Sequence, residues 1–186
     1  MSTTVDREKI LSVLADESQI REDPFSTLKE IAYCCSSSGD VDFGTELVLR
    51  ALHHRGAFAG YEEIINELVR QVGLFPYLEP NELDLQNLIA LEYHRAEGMP
   101  ESTVFHRVQS VVYQQLLDGQ NVVLSAPTSF GKSLIVDAVI ASNKHKNIVI
   151  IVPTLALIDE TRRRLGVFAS RYKLVSQSSQ LAAVKK

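Results

Sequence analysis

The chain has 186 residues, of which 45% are apolar and 23% charged, with 15 Gly and Pro together. This is the composition of a globular protein with one or two domains, and it excludes disordered, collagen-like and fibrous classes. The net charge of −4 divides unevenly: residues 1–98 carry 18 acids and 8 bases, and residues 99–186 carry 5 acids and 11 bases. Such asymmetry suggests that only the second half meets a polyanion.

The first nine residues have no apolar core, so no signal peptide is expected. The longest nearly apolar run, Ile148 to Ile158, is interrupted by Pro153 and Thr154. It is too short for the roughly 20 residues of a membrane helix. The two cysteines, Cys34 and Cys35, are adjacent and poorly placed to pair, and no Cys/His set has zinc spacing. A reducing cytoplasm and no membrane contact are the expectations.

The first elements in chain order are helical. Ile10, Leu11, Val13 and Leu14 have helical spacing. Asp23-Pro24 provides an N-cap followed by Pro at the first helical position. That helix runs towards Gly39, and another, carrying Phe43, Leu47, Leu49 and Leu52, stops near Gly56. Ile64, Ile65, Leu68, Val69 and Val72 form a stripe ending at Gly73. Asn81 is a candidate cap for a helix that has Asp84 at its third position, continues through Leu88, Ile89 and Leu91, and stops at Gly98. No fixed-period repeat is evident. Residues 1–98 are therefore expected to form an acidic all-α module, able to dock a protein partner.

Residues 99–186 change character. Thr103 to Leu117 suggests a helix, Asn121 to Ala126 a short strand, and Ser129 to Ser133 a polar turn. Leu134 to Ile140 suggests a helix, Asn147 to Val152 a β-branched strand, Leu155 to Val167 a helix and Tyr172 to Ser176 a third strand. The order β-α-β-α-β predicts an α/β domain with an incomplete parallel sheet.

The chemistry centres on Ala126-Pro-Thr-Ser-Phe-Gly-Lys-Ser133. Gly131-Lys132-Ser133 matches the end of the phosphate-binding pattern G-x-x-x-x-G-K-[ST], with Ala126 in place of its first glycine. A phosphate chain needs converging N–H donors, which a tight turn before a helix supplies together with the helix dipole. Gly131 lets the backbone approach, Lys132 supplies an ammonium, and the Ser133 hydroxyl is a ligand for Mg²⁺.

With alanine opening the loop, the segment resembles motif I of superfamily 2 helicases, the DEAD/DEAH-box group. Pro153-Thr154-Leu-Ala-Leu157 resembles the family's motif Ia. Phe105 and Gln109, the latter 23 residues before Lys132, resemble the aromatic and glutamine of its Q motif. The resemblance covers about residues 104–180. It implies an opening part of a RecA-like domain, ATP and Mg²⁺ as cofactors, and a nucleic-acid partner. Thr128, Ser129, Phe130 and Gly131 would shape the loop, and Lys132 and Ser133 would bind phosphate and metal. Gln109 would contact adenine, with Phe105 beside the base. Pro153 and Thr154 would contact a nucleic-acid phosphate; Thr154 equally suits the N-cap of the following helix.

Arg162, Arg163 and Arg164 spread around a helix, so they form either a solvated basic face or a nucleic-acid contact that includes Arg162. Leu155 to Glu160 also has the look of a metal-binding strand ending in the acid pair Asp159-Glu160. Pro153 and the lack of a crossover after Ile148–Val152 argue against it. His53, His54, His94, His106 and His145 have no ligand spacing.

The family's D-E-x-D or D-E-x-H and its later motifs do not occur in these residues, and no catalytic residue is assigned. The expectation is an N-terminal portion of an ATP-dependent helicase or translocase, with negligible hydrolysis by these 186 residues. Two other readings stand beside it. One is an interaction protein with a vestigial nucleotide loop, and the other a different P-loop NTPase using Asp159 and Glu160.

Overall fold

The computed structural model describes residues 6–36, 41–79 and 83–176. Two compact units divide the chain. The first comprises Met1–Arg95 with Glu101–Ser110, and the second Ala96–Pro100 with Val111–Lys186.

The first unit is helical among the described residues. It contains α1 (Arg7–Val13), α2 (Glu17–Glu22), α3 (Pro24–Ser36), α4 (Val41–His53), α5 (Glu62–Val72) and α6 (Leu85–Tyr93), followed by α7 (Arg107–Leu117), which passes into the second unit. Aspartate side chains start α1, α2, α3 and α6. Asp6 accepts from the backbone N–H groups of Glu8 and Lys9, and Asp16 from that of Ser18. Asp23 accepts from Ser26 N at 3.0 Å, just ahead of Pro24 at the first position of α3. Each satisfies a helix N–H that has no intrahelical partner. The expected cap Asn81 lies outside the described residues. Asp84 caps α6, its Oδ1 accepting from Asn87 N at 2.7 Å. The helix at Phe43–Leu52 ends at His53, and a 3-10 turn, Arg55–Phe58, then carries Gly56.

The core of this unit gathers Ile10, Leu14, Ile20, Leu28, Ile31, Leu47, Val48, Phe58, Ile65 and Val69, among others. Ile10, Leu14, Leu47, Ile65 and Val69 belong to the predicted stripes of the first, fourth and fifth helices, whereas Ile20 comes from α2, Leu28 and Ile31 from α3 and Phe58 from the 3-10 turn, and Leu49 of the predicted α4 stripe is exposed. α5 ends at Gly73 in the left-handed conformation (φ +78°), and Leu74 N donates back to Val69 O at 2.9 Å. Arg107 then ties the start of α7 to this terminus. Its backbone N donates to Gly73 O at 3.1 Å, and its guanidinium Nη2 donates to Arg70 O at 2.8 Å and Gln71 O at 3.1 Å. The approach is close enough that a Cβ at Gly73 would lie 2.7 Å from the Arg107 Cβ.

In the second unit, α8 (Lys132–Ala141) and α9 (Leu155–Arg164) are followed by a 3-10 turn, Leu165–Phe168. Ile140, Ala141, Leu165 and Phe168 form a core joined by Met99, Ile148 and Tyr172. The chain after α9 is fastened to the end of α8. Arg171 Nη1 donates to Ala141 O at 3.1 Å, and Tyr172 Oη to His145 O at 2.7 Å. Gly98 (φ +75°) packs so tightly there that a Cβ would sit 2.4 Å from Ala141 O.

The expected α/β class with a parallel sheet is overturned. Among the described residues there is no strand, and the single β-bridge is the isolated antiparallel pair Arg95–Val104. None of the segments 121–126, 147–152 and 172–176 forms a ladder. Much of their apolar surface is uncovered, with Val123 101% exposed, Val149 84% and Ile151 91%, although Ile148 and Tyr172 pack on the small core. β-Branched composition favours an extended backbone, but a strand exists only with a neighbour to take its N–H and C=O groups and a layer to cover its face. With no such neighbour among the described residues, these runs remain connecting segments.

Candidate functional site

The loop Ala126–Ser133 is built as a turn into a helix. Thr128–Phe130 form one 3-10 turn, closed by Phe130 N donating to Pro127 O at 3.2 Å. Gly131 follows with φ +83° and serves as N-cap of α8. Only glycine takes this left-handed geometry without strain, and it reverses the chain directly into the helix. Among the described residues no side chain caps the first turn of α8. The N–H groups there retain the partial positive charge of a helix start.

Lys132 is half-buried, and its ammonium lies over the loop. Nζ donates to Ala126 O and to Pro127 O, each at 2.7 Å. The cation is thereby held across the mouth of the turn by the two carbonyls. Ser133 is exposed on the first turn of α8, beside Lys132. Thr128 and Ser129 are exposed, and Phe130 and Gly131 half-buried. The donor set of ammonium, helix N–H groups and hydroxyl fits a phosphate chain. A Mg²⁺ held largely by phosphate oxygens and water needs only one such protein hydroxyl. No group of three or more His, Cys, Asp or Glu side chains is placed to hold a metal by itself among the described residues.

This turn is braced by Arg164, expected only as part of a basic run, and by Asp137, which no sequence motif singles out. Arg164, the last residue of α9, donates from Nη1 to Ser133 O at 3.0 Å and forms an ion pair with Asp137, one turn further along α8. The run Arg162–Arg164 is thus divided, with Arg162 and Arg163 exposed and Arg164 drawn in. Asp137 could have been found as the one acid in the apolar stretch Leu134–Ala141.

Pro153 and Thr154 are exposed at the start of α9. Thr154 is its N-cap, with Oγ1 accepting from Leu157 N at 3.3 Å. The hydroxyl hydrogen is left for another acceptor. Asp159 and Glu160 lie within α9, on a helix and not at a strand end. Asp159, Arg162, Arg163, Gly166 and Leu174 line an open depression.

Phe105 and Gln109 belong to the first unit. Phe105 is wholly buried, and its N–H donates to His94 O at 2.8 Å. Gln109 is 6% exposed, and its Oε1 accepts from His106 N at 2.9 Å. This is the return bond of a capping box, in which the third helical residue satisfies the N-cap N–H. His106 at that cap and His94 nearby both have pKa values held below the ordinary histidine value, chiefly by burial. His94 also stacks on Phe75, with ring centroids 3.5 Å apart, and feels the Arg107 charge.

Among the described residues no helix is long and apolar enough to cross a membrane.

Comparisons with known proteins fall on both halves. Residues 1–88 match the family described as Anti-bacteriophage protein B N-terminal domain. Anti-bacteriophage protein B of Escherichia coli (strain K12) is 42% identical over 160 residues, covering 84% of this chain and 22% of that protein. The chain thus spans about a fifth of the length of the curated relative it matches. No solved structure matches it. Residues 106–186 match the DEAD/DEAH box helicase family, so the loop described above lies within part of a helicase-type domain.

Proposed function

We propose that this chain is the nucleotide-engaging N-terminal portion of an ATP-dependent nucleic-acid helicase or translocase. The observation that carries the reading is the turn at Gly131, which sets the Lys132 ammonium over the loop carbonyls at the start of α8, where no side chain among the described residues caps the first turn. The match of residues 106–186 to DEAD/DEAH box helicases supports ATP as the nucleotide. In this reading the N–H groups of the first turn and Lys132 hold the phosphates, and Thr128–Gly131 shape the loop around them. The Ser133 hydroxyl would help to hold Mg²⁺, which would supply positive charge to the nucleotide phosphates. Gln109 and Phe105 form the adenine side. Their burial means that Gln109 must exchange its bond to His106 N for one to the base.

Pro153, Thr154 and Arg162 form the nucleic-acid side, with Thr154 and the start of α9 donating to a phosphate. The exposure of all three supports this. The acidic helical unit, residues 1–98 in the main, docks a protein partner and would keep a polyanion at a distance. The relative's name, anti-bacteriophage protein B, supports defence against phage as the setting.

The test is competition for a fluorescent ATP analogue together with binding of a labelled single strand. ATP should compete and AMP should not, and Lys132→Ala should abolish analogue binding. Arg162→Ala should weaken strand binding and flatten its salt dependence, since each lost phosphate contact lowers the log–log slope by about 0.7 for a single strand. Equal competition by AMP and ATP would overturn the phosphate assignment. An unchanged salt slope would remove Arg162 from the interface.

A further inference from the structure

The brace between α9 and α8 has no part in the phosphate loop as the sequence defines it. Arg164 stands 31 residues after Ser133, beyond the end of the 126–133 motif and of the 153–157 motif. Yet its Nη1 reaches the carbonyl of Ser133 at 3.0 Å and the carboxylate of Asp137 together. Both acceptors sit on one face of α8, at positions i and i+4, so a single guanidinium spans the first turn of that helix. The pair is partly shielded: the Asp137 side chain is 16% exposed and that of Arg164 30%. The adjacent Arg162 and Arg163 remain in solvent. Leu165, the next residue, is buried with Ile140 and Phe168, which anchors the end of α9 where Arg164 departs.

We propose that Arg164 and Asp137 are positioning residues for the nucleotide site. By clamping the first turn of α8 at Ser133, they fix the direction of the Ser133 hydroxyl and of the helix N–H groups beside it. This deepens the phosphate-loop reading and rests on it. The physical ground is that a helix start frays unless its first turn is held, and here no side chain caps that turn among the described residues. The Arg164 guanidinium takes over the restraint from outside, its Nη1 donating to both acceptors. It also supplies the charge that offsets the Asp137 carboxylate. Without it, that carboxylate would lie one turn from the bound phosphates and repel them.

Two predictions separate positioning from simple structural support. First, the loss should be specific to Mg²⁺. Ser133 meets the metal, whereas Lys132 and the N–H groups meet phosphate directly, so Arg164→Gln should weaken Mg²⁺–ATP binding more than metal-free ATP binding. Second, the two residues should act as one unit. Arg164→Gln and Asp137→Asn should each weaken Mg²⁺–ATP affinity by about ten-fold, and the double variant by no more than either. Arg164→Lys should recover only part of the loss, because the lysine side chain is one atom shorter and its ammonium falls short of the two acceptors that Nη1 reaches.

The experiment is a titration of the 186-residue chain with a fluorescent ATP analogue, with Mg²⁺ and with chelator, for wild type and these variants. Thermal melts run alongside, and Lys132→Ala serves as the reference. The proposal expects melting within a few degrees of wild type, a reduced ratio of Mg²⁺-bound to metal-free affinity, and non-additive single losses. If Lys132→Ala abolishes binding but Arg164→Gln leaves both affinities unchanged, the clamp has no positioning role. Equal losses with and without Mg²⁺ overturn it too, since they show general loosening of the helix. If Lys132→Ala itself leaves binding intact, the phosphate-loop reading fails first, and that result is distinct from either outcome. Should Arg164→Gln melt much lower, Arg164→Lys and Asp137→Asn carry the same comparison.

Discussion

Replacing Gly73 by alanine tests how the first unit is held at the junction of α5 and α7. The backbone there has φ +78°, a conformation that costs an L-residue about 1–2 kcal/mol. A second loss comes from space: the new Cβ would lie 2.7 Å from the Arg107 Cβ and 3.2 Å from its Nε. Arg107 must shift, which strains its bonds to Arg70 O and Gln71 O. Losing the better part of one such charge-assisted bond costs roughly a further 1–2 kcal/mol. The sum is about 2–4 kcal/mol, which at a urea m-value near 2 kcal/mol/M moves the midpoint down by roughly 1–2 M.

Gly60 provides the control in the same unit. It too has a positive φ, +88°, but nothing lies within 4 Å of where its Cβ would be. Gly60→Ala should therefore show only the backbone cost of about 1–2 kcal/mol. Urea unfolding followed by helical circular dichroism measures both. Equal midpoint shifts for the two variants would refute the argument that Arg107 packs against Gly73.

Three further outcomes follow from the helix ends and buried rings. Asp84→Ala removes the cap of α6 and should cost about 1 kcal/mol in urea unfolding, whereas Asp84→Asn should lose far less. His94 and His106 have folded pKa values below 6.5, so their stabilising effect is full above pH 6.5 and is lost as pH falls towards those lower values. The unfolded chain takes up the protons first, and stability should fall by at most about 1.4 kcal/mol per pH unit per histidine; His94→Gln should flatten that slope. Thr154→Ala should destabilise α9 by roughly 0.5–2 kcal/mol, whereas Thr154→Ser should keep both the cap and strand binding.

Local chemistry was legible in the sequence wherever one residue decides the outcome. Asp23-Pro24 opens α3 and Gly73 closes α5, because a cap or a positive φ depends on the residue itself. Gly131 and Lys132 lie on a turn into a helix, as the spacing of the motif requires. The expected strands Asn121–Ala126, Asn147–Val152 and Tyr172–Ser176 rest on composition, which reports only a preference for extended backbone. Pairing depends on neighbours that no local pattern specifies, and the described residues hold none. Gln109 shows a different limit. Its resemblance to an adenine reader drew attention from its spacing of three residues after His106, which also suits a capping box. Arg164 was indistinguishable from its two neighbours until the fold placed Asp137 beside it.

If Ala126–Ser133 binds the phosphates of a nucleotide, Lys132 and the start of α8 must carry that binding. Calorimetric titration of the chain with ATP in the presence of Mg²⁺ tests it most directly, with wild type and Lys132→Ala compared at equal folded fraction. Wild type should show one saturable site, and Lys132→Ala no measurable heat of binding. Undiminished binding by Lys132→Ala, or none by a folded wild type, would contradict it.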